Sequence, residues 1–530
     1  MKKFKLSLTD EIKGIDKKIA SLINQRSRLM CKVSQVRQSK SESLADVGLE
    51  KELWIVWKEE LKKSNQGLVR QLYTLLNSLG YSMAEKTSSD KPFCLYPPTT
   101  PIKMSTPGPR SIRHSHYAAF MSALSPEKHE IKNFLLNDNI IELIKMANQC
   151  GFKMSWHENI LTGLGSPDLN LDGQSLFVNH SLFNFYLFAC LSLGSAGRTK
   201  FNSSALLKSV SLRDLQDFMP QLGARLYSIE PQSHSFPVRM EASGQLPSEI
   251  SIPGHLDPNF VKALILCAPA FEKKFTVKYH GLKDQGFSEL ISVLKSAGIK
   301  VVVDDAQLVV YPGKPFPGSM DIPLDPVLCG FLLAMAQLSL GDISLSGAWP
   351  SKSELGQHVL QVLKQWGSTV SIENNAVISS AGPRTAGEML DLSLRSELAP
   401  LAFPLALGTC QGRELEIILA PESDNFEIIT EVLSHIGYNY SVHSNGINIS
   451  YSQRSTEKNS PWNSPNPYWT LGYCLLSFKH KGICLANPGN VTSLWPGFWK
   501  IFMNLSAKTA TQRETKGDIN DKPRRKRIRV

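Results

Sequence analysis

Apolar positions along this chain follow two periods, about 3.6 and 2, and one succession of the two recurs. In residues 250–310, a short strand (250–252), a buried helix (260–268) and a second strand (275–279) are followed by Leu290, Ile291, Val293 and Leu294 at amphipathic-helix spacing. Gly298 ends that helix, and 301–303 with 308–310 read as a hairpin. The succession precedes and follows Gly367 as 320–322, 327–340, 343–345, then Leu355, Val359, Val362 and Leu363, then the hairpin of Val370, Ile372, Val377 and Ile378. It returns around Gly437 as 390–394, 398–407 and 415–419, with Ile428, Ile429, Val432 and Leu433 before the glycine. The hairpin after Gly437 turns at Asn445-Gly446, a type I′ signal. Gly151 and Gly223 hold the same place in two earlier copies, so the five glycines lie 69 to 75 residues apart. Glycine suits a helix C-terminus because it adopts a left-handed conformation without steric cost. The repeating element is βαβαββ, and five full copies with a split sixth fill residues 100–505. The closing piece, 495–505, reads as a helix whose strands come from elsewhere, from residues just before Pro107.

The first 86 residues are different. Leu8, Ile12, Ile15, Ile19, Leu22, Ile23, Leu29 and Val33 predict one helix of about eight turns, which must pack on partners to be stable. Two further helices are expected at 49–61 and 68–79. Pro92, Pro97, Pro98, Pro101, Pro107 and Pro109 then make a stiff linker. The expected organisation is a helical domain (1–86), a linker and incoming strand (87–106), three units (107–318), the remaining units (319–505) and a basic tail (506–530). The fold class is α/β (α+β), with an all-α domain in front.

Composition narrows the function classes. Met1 to Gly14 lacks the apolar core of a signal peptide, and the longest apolar stretch, 176–193, is broken by Asn179, His180 and Asn184. No membrane span is expected, and the location expected is cytoplasmic. Nine cysteines without a CxxC pair predict reduced thiols, with neither a disulfide framework nor a metal site. The net charge is +11, but residues 522–530 carry six basic and no acidic side chains. Such an end reads as a solvated terminus, and nucleic-acid contact by it is not expected.

Two resemblances follow from particular residues. The stretch LTDEIKGIDKKIASLINQRSRLMCKVSQVRQSK, residues 8–40, resembles the first helix of the all-helical chorismate mutases, which are intertwined homodimers. The repeat region resembles the enolpyruvylshikimate-phosphate synthases (3-phosphoshikimate 1-carboxyvinyltransferases). It does so through its phasing, through TPGPRSIRHS at 106–115 where that family has Pro-Gly-Ser-Lys, and through IPGHLDPNF at 252–260 where it has Ser-Ser-Gln. The resemblance implies a two-lobed body of six units of inside-out barrel type, with the active site in the cleft between lobes. It implies enolpyruvyl transfer from phosphoenolpyruvate to shikimate 3-phosphate, a transferase step of chorismate and aromatic amino acid biosynthesis in the shikimate pathway, with no cofactor and no metal. The mutase-like part implies a homodimer through residues 1–86.

The resemblance also assigns roles by position. Glu397 and Glu422 match the catalytic acid and base; Arg110, Ser111 and Asn259 fall at substrate-binding positions. Arg26, Arg37, Asp46 and Glu50 match the mutase-like site, while Thr9 and Leu49 replace two of its arginines. About five negative charges must be held during the transfer, by bidentate arginines and by lysines. Yet Ser115 and Phe185 stand at arginine positions, and Asp257, Pro258 and Asn259 replace Ser-Ser-Gln. Pro421, Asn425, Trp469 and Ser493 replace lysine, arginine, arginine and lysine. Two expectations of different class therefore stand side by side. One is an active synthase with a remodelled site, helped by Arg113, Arg384, Arg395 or Arg413. The other is a non-catalytic relative that binds a pathway intermediate or scaffolds neighbouring enzymes through a mutase-like dimer. The sister enzymes acting on UDP-N-acetylglucosamine share the fold, but their reactive-cysteine loop has no match here.

Overall fold

The computed structural model describes residues 2–505 except 40–46, 63–68, 70–71, 74–75, 78–92, 166–169, 281–285, 305–306, 385–386, 411–412, 421–422 and 451–460. Five four-stranded sheets share one strand order. In each, an edge strand runs parallel to its neighbour, and that neighbour pairs antiparallel with one strand of a hairpin whose other strand forms the far edge. The sheet of residues 249–310 shows the pattern: Glu249–Ser251 beside Phe275–Lys278, then Gln307–Val310, then Val301–Val303. A parallel neighbour requires a crossover, and the buried helix Pro258–Cys267 supplies it. All five repeat glycines have positive φ, from 71° to 105°. The periodicity therefore places the strands and helices of these copies within a few residues of their observed bounds.

One expectation is corrected. The strand at 320–322 does not open the fourth repeat. It is observed as Gly318–Asp321 and pairs in parallel with His129–Lys132, completing the first repeat's sheet. The fourth repeat is completed by Lys103–Pro107, parallel to Asp342–Ser346. Each of these edge strands is held by a single parallel ladder and carries no bulky apolar pattern, so its sequence suits either sheet.

The chain divides into two compact units. One comprises Met1–Lys91, Arg113–Lys132 and Asn139–Asp321; the other comprises Pro92–Ile112, Asn133–Asp138 and Ile322–Val530. In the first, helices Leu182–Ser192 and Pro258–Cys267 pack together among fully buried side chains. In the second, Pro326–Ser339, Ala399–Thr409 and Pro467–Leu476 pack on one another and form the centre of its core.

The split sixth repeat lies in the second unit. Its two-stranded sheet pairs Phe93–Cys94 with Cys484–Leu485, and residues 498–505 form the closing helix. Trp499 of that helix meets Phe93 edge to face at 4.6 Å. The strands thus come from upstream of Pro107, but from 93–94 and not from 103–107. The expectation of reduced thiols throughout also fails here, because Cys94 and Cys484 are joined by a disulfide across 390 residues. Sequence spacing could not show this pair, since only the closing of the sixth repeat brings its members together. Within the chain-entropy model, a loop of that size restricts the unfolded state by on the order of 5 kcal/mol.

In the helical region, Lys2–Ser39 and Val47–Glu60 are helices. The third predicted helix falls largely outside the described residues. Ile12, Ile15, Ile19, Leu22 and Leu29 of the first helix, and Ile55 and Val56 of the second, are exposed.

Candidate functional site

In the second unit, residues 108–112 are zipped to 322–325. The Ser111 amide donates to Pro323 O, the Asp325 amide to Pro109 O and the Ile112 amide to Asp325 Oδ2. Arg110 is half-buried, and its Nη1 donates to Ile322 O at 3.2 Å. The guanidinium lies over Gly347, whose φ is +138°; a Cβ there would fall 2.5 Å from Nη1. Asp325 also caps helix Pro326–Ser339, accepting from the Val327 and Leu328 amides. Arg110 and Ser111 therefore help join two chain segments, and Ser111 itself is buried.

In the first unit, the positions that the resemblance marks for arginine are interior. Ser115 and Phe185 are both fully buried. Phe185 packs edge to face on Phe201 at 5.1 Å and on Phe236 at 4.9 Å. Ser181 caps helix Leu182–Ser192 by accepting from the Asn184 amide. Asn184 in turn bonds His116 Nε2 at 2.7 Å and donates to Asn139 O. Burial holds the His116 imidazole down at about 4, against which the Asn184 bond raises it only in part.

His116 is therefore neutral in the folded state and takes up a proton more readily when unfolded. Its contribution to stability is complete above pH 6.5 and declines as the pH falls towards 4. Each tenfold difference in proton affinity between the two states is worth roughly 1.4 kcal/mol, so the loss by pH 4 is about 3 kcal/mol. Urea unfolding at pH 7 and pH 4 should show the native chain losing about that much more than His116→Gln. Equal losses in the two proteins would disprove the assignment.

The loop before helix Pro258–Cys267 holds a carboxylate where the resemblance expects a phosphate site. Asp257 caps the helix, its Oδ1 accepting from the Asn259 amide at 2.8 Å. It also bonds the buried Tyr186 hydroxyl, which burial first and then this neighbouring charge push up. A helix N-terminus attracts anions, and here the protein's own Asp257 fills it. Asn259 is exposed.

Beside this loop lies a cavity of about 290 Å³, at the carboxyl ends of parallel strands Glu249–Ser251 and Phe275–Lys278. Its lining includes Ser251, Lys278, Tyr279, His280, Asp304 and Gln307. Lys278 pairs with Glu249. These side chains form no sequence motif and were not expected at a site. The signal available was the Lys-Tyr-His run directly after an apolar strand, since ligands of α/β sheets gather at carboxyl strand ends.

In the second unit, Glu397 is exposed on the 3₁₀ turn Ser396–Leu398, which leads into helix Ala399–Thr409. Asn425 Nδ2 donates to Ser396 O at 2.8 Å and so fixes that turn. Trp469 is buried against Phe403, and Ser493 bonds its own helix at Asn490 O. Glu422, the other half of the expected acid/base pair, and Pro421 lie outside the described residues. Of the reserve cations, Arg395 pairs with Glu354 and Arg384 Nη1 donates to Cys410 Sγ. Arg113 lies 3.6 Å from Glu289 in the first unit, and Arg413 is exposed.

In the helical region, Arg26 and the main chain of Glu50 both meet Tyr73. Arg26 Nη2 donates to Asn77 Oδ1, and its guanidinium stands 5.7 Å from the Tyr73 ring centre. Tyr73 Oη donates to Glu50 O. Arg37 falls within helix Lys2–Ser39, and Asp46 lies outside the described residues. Among the described residues, no group of three or more His, Cys, Asp or Glu is placed to hold a metal, and no helix is long and apolar enough to cross a membrane.

Sheets of one repeated arrangement, with helices that end on left-handed glycines, are distributed over the two units. Residues 103–466 match the family model described as EPSP synthase (3-phosphoshikimate 1-carboxyvinyltransferase), and the chain belongs to that family. It is 21% identical over 424 residues to 3-phosphoshikimate 1-carboxyvinyltransferase 2 of Halalkalibacterium halodurans, covering 77% of this chain and 93% of the relative. It is 22% identical over 419 residues to the 3-phosphoshikimate 1-carboxyvinyltransferase of Syntrophobacter fumaroxidans, covering 76% and 97%. Among solved structures, EPSP synthase from Acinetobacter baumannii superposes with a TM-score of 0.63 at 16% identity, covering 78% of this chain and 97% of that one. The enolpyruvyl transferase NikO from Streptomyces tendae gives 0.62 at 13% identity, with the same coverage.

Proposed function

We propose that this chain keeps the ligand class of its family, phosphoenolpyruvate and shikimate 3-phosphate, while its carboxyvinyl transfer is reduced by orders of magnitude. In the reaction the sugar hydroxyl loses a proton as it attacks the enol carbon, the methylene gains one, and phosphate leaves. Glu397 and Glu422 are the groups proposed for those proton transfers. Arg110, Ser111 and Asn259 are the residues proposed to contact the substrate, in a cytoplasmic protein.

The observation carrying the reduction is Asp257, which occupies the helix terminus proposed to receive phosphate. A carboxylate already bonded to the Asn259 amide and the Tyr186 hydroxyl repels a second anion. Replacing Asp257 by Ser keeps a capping oxygen and removes the charge. Calorimetric titration of shikimate 3-phosphate should then show Asp257→Ser binding about tenfold or more tighter than the native chain, since ~1.4 kcal/mol corresponds to tenfold. Equal affinities would show that Asp257 does not stand in the phosphate site.

A second reading, a non-catalytic scaffold joined through residues 1–86, is favoured by the exposed apolar face of helix Lys2–Ser39. Its Ile12, Ile15, Ile19, Leu22 and Leu29 stand about half or more exposed, and one copy of the helix cannot cover them. Light scattering should give a dimer for the whole chain and a monomer for a chain beginning at Pro92. Two monomers would remove this reading.

A further inference from the structure

We infer that Cys94 and Cys484 form a reversible redox staple that fastens the start of the body to its closing repeat, operated by a small-molecule thiol–disulfide couple of the glutathione type. The two cysteines face each other directly in the antiparallel pair Phe93–Cys94 and Cys484–Leu485. The Cys484 carbonyl accepts from the Trp462 amide, while the neighbouring Leu95 amide donates to Ile483 O. The cysteines thus occupy a non-hydrogen-bonded position, where paired backbones approach most closely; their Cα atoms are 3.9 Å apart.

The pair also differs from the other described cysteines. Cys150, Cys190, Cys267, Cys329, Cys410 and Cys474 are buried free thiols. Burial pushes all six up, Cys150 to about 12, so little thiolate is available from any of them. Cys94 is half-buried and within reach of a small thiol. The sheet it staples has only two residues on each strand. Without the bond, the core-buried Leu95, Phe93 against Trp499 and a few backbone hydrogen bonds hold the segment. Closure of a two-stranded sheet this short is marginal.

The exchange balances. A small-molecule thiolate attacks Cys94 Sγ and the Cys94–Cys484 bond breaks, leaving a mixed disulfide on Cys94 and a Cys484 thiolate that takes a proton. A second small thiol then releases Cys94, so that two thiols are oxidised to one small disulfide and the protein gains two thiol groups. Oxidised glutathione runs the same steps in reverse.

The test uses the full chain equilibrated with reduced or oxidised glutathione, then alkylated and mapped as peptides without further reduction. In the oxidised buffer a 94–484 cross-linked peptide is expected, and in the reduced buffer both residues should carry the alkyl group. The melting temperature should fall by about 5 °C or more on reduction. Hydrogen exchange should quicken at 93–96, 482–485 and 498–505. Cys94→Ser should abolish the redox dependence of both readouts and Cys410→Ser should leave it intact; if the former fails to fold, Cys484→Ser replaces it. Two alkylated cysteines in excess oxidised glutathione, or a melting temperature indifferent to reduction, would overturn the inference.

Discussion

Phe185→Arg, the change that restores an expected family arginine, is expected to unfold the first unit and to leave activity unrestored. Phe185 is fully buried between Phe201, Phe236 and Tyr186. Removing its ring costs about 3–5 kcal/mol in transfer and cavity terms. A guanidinium in that apolar nest has no carboxylate partner, and burying an unpaired charge adds several kcal/mol more. Against a total stability of about 5–15 kcal/mol, the sum removes most or all of the folded state. Phe185→Leu keeps an apolar side chain and should cost only about 1–2 kcal/mol. Circular dichroism melts of both variants decide the point. A Phe185→Arg protein that melts like the native chain would mean that the side chain reaches solvent and that the position remains open to a ligand.

Phe185 also shows how far the sequence could be read. The resemblance alone marks Phe185 as standing at an arginine position. What the resemblance could not reveal was how completely the ring had been absorbed by Phe201 and Phe236, which come from elsewhere in the repeat. The repeats themselves were legible because each amphipathic helix ends on a glycine that the backbone needs in the left-handed region. Strand exchange was not. Gly318–Asp321 and Lys103–Pro107 each sit at a sheet edge, where alternation is weak and the partner is fixed by topology. For the same reason the sequence could not show that Arg110, expected at a substrate-binding position, donates to Ile322 O more than two hundred positions away. Lys278, Tyr279 and His280 were missed because their one signal, a polar run closing an apolar strand, gains meaning only once the strand's parallel neighbour is known.

Turnover is where these particulars converge. Ser115, Phe185, Asn425, Trp469 and Ser493 stand at five of the six replaced positions where the resemblance expects a cation, and each lost charge-assisted contact is worth ~1.5–3 kcal/mol. The combined loss is roughly 7–15 kcal/mol, and ~1.4 kcal/mol is tenfold in rate or affinity. The cations that could substitute are largely engaged, Arg395 with Glu354, Arg384 with Cys410 and Arg113 with Glu289. Ordinary enzymes turn over at about 1–10³ s⁻¹. A deficit of even the lower size, about five decades, predicts a rate below about 10⁻² s⁻¹. The measurement is steady-state phosphate release by the full chain from phosphoenolpyruvate and shikimate 3-phosphate. Release below about 10⁻² s⁻¹ is the result expected; turnover in the ordinary range would contradict the claim that this protein has filled its own anion sites.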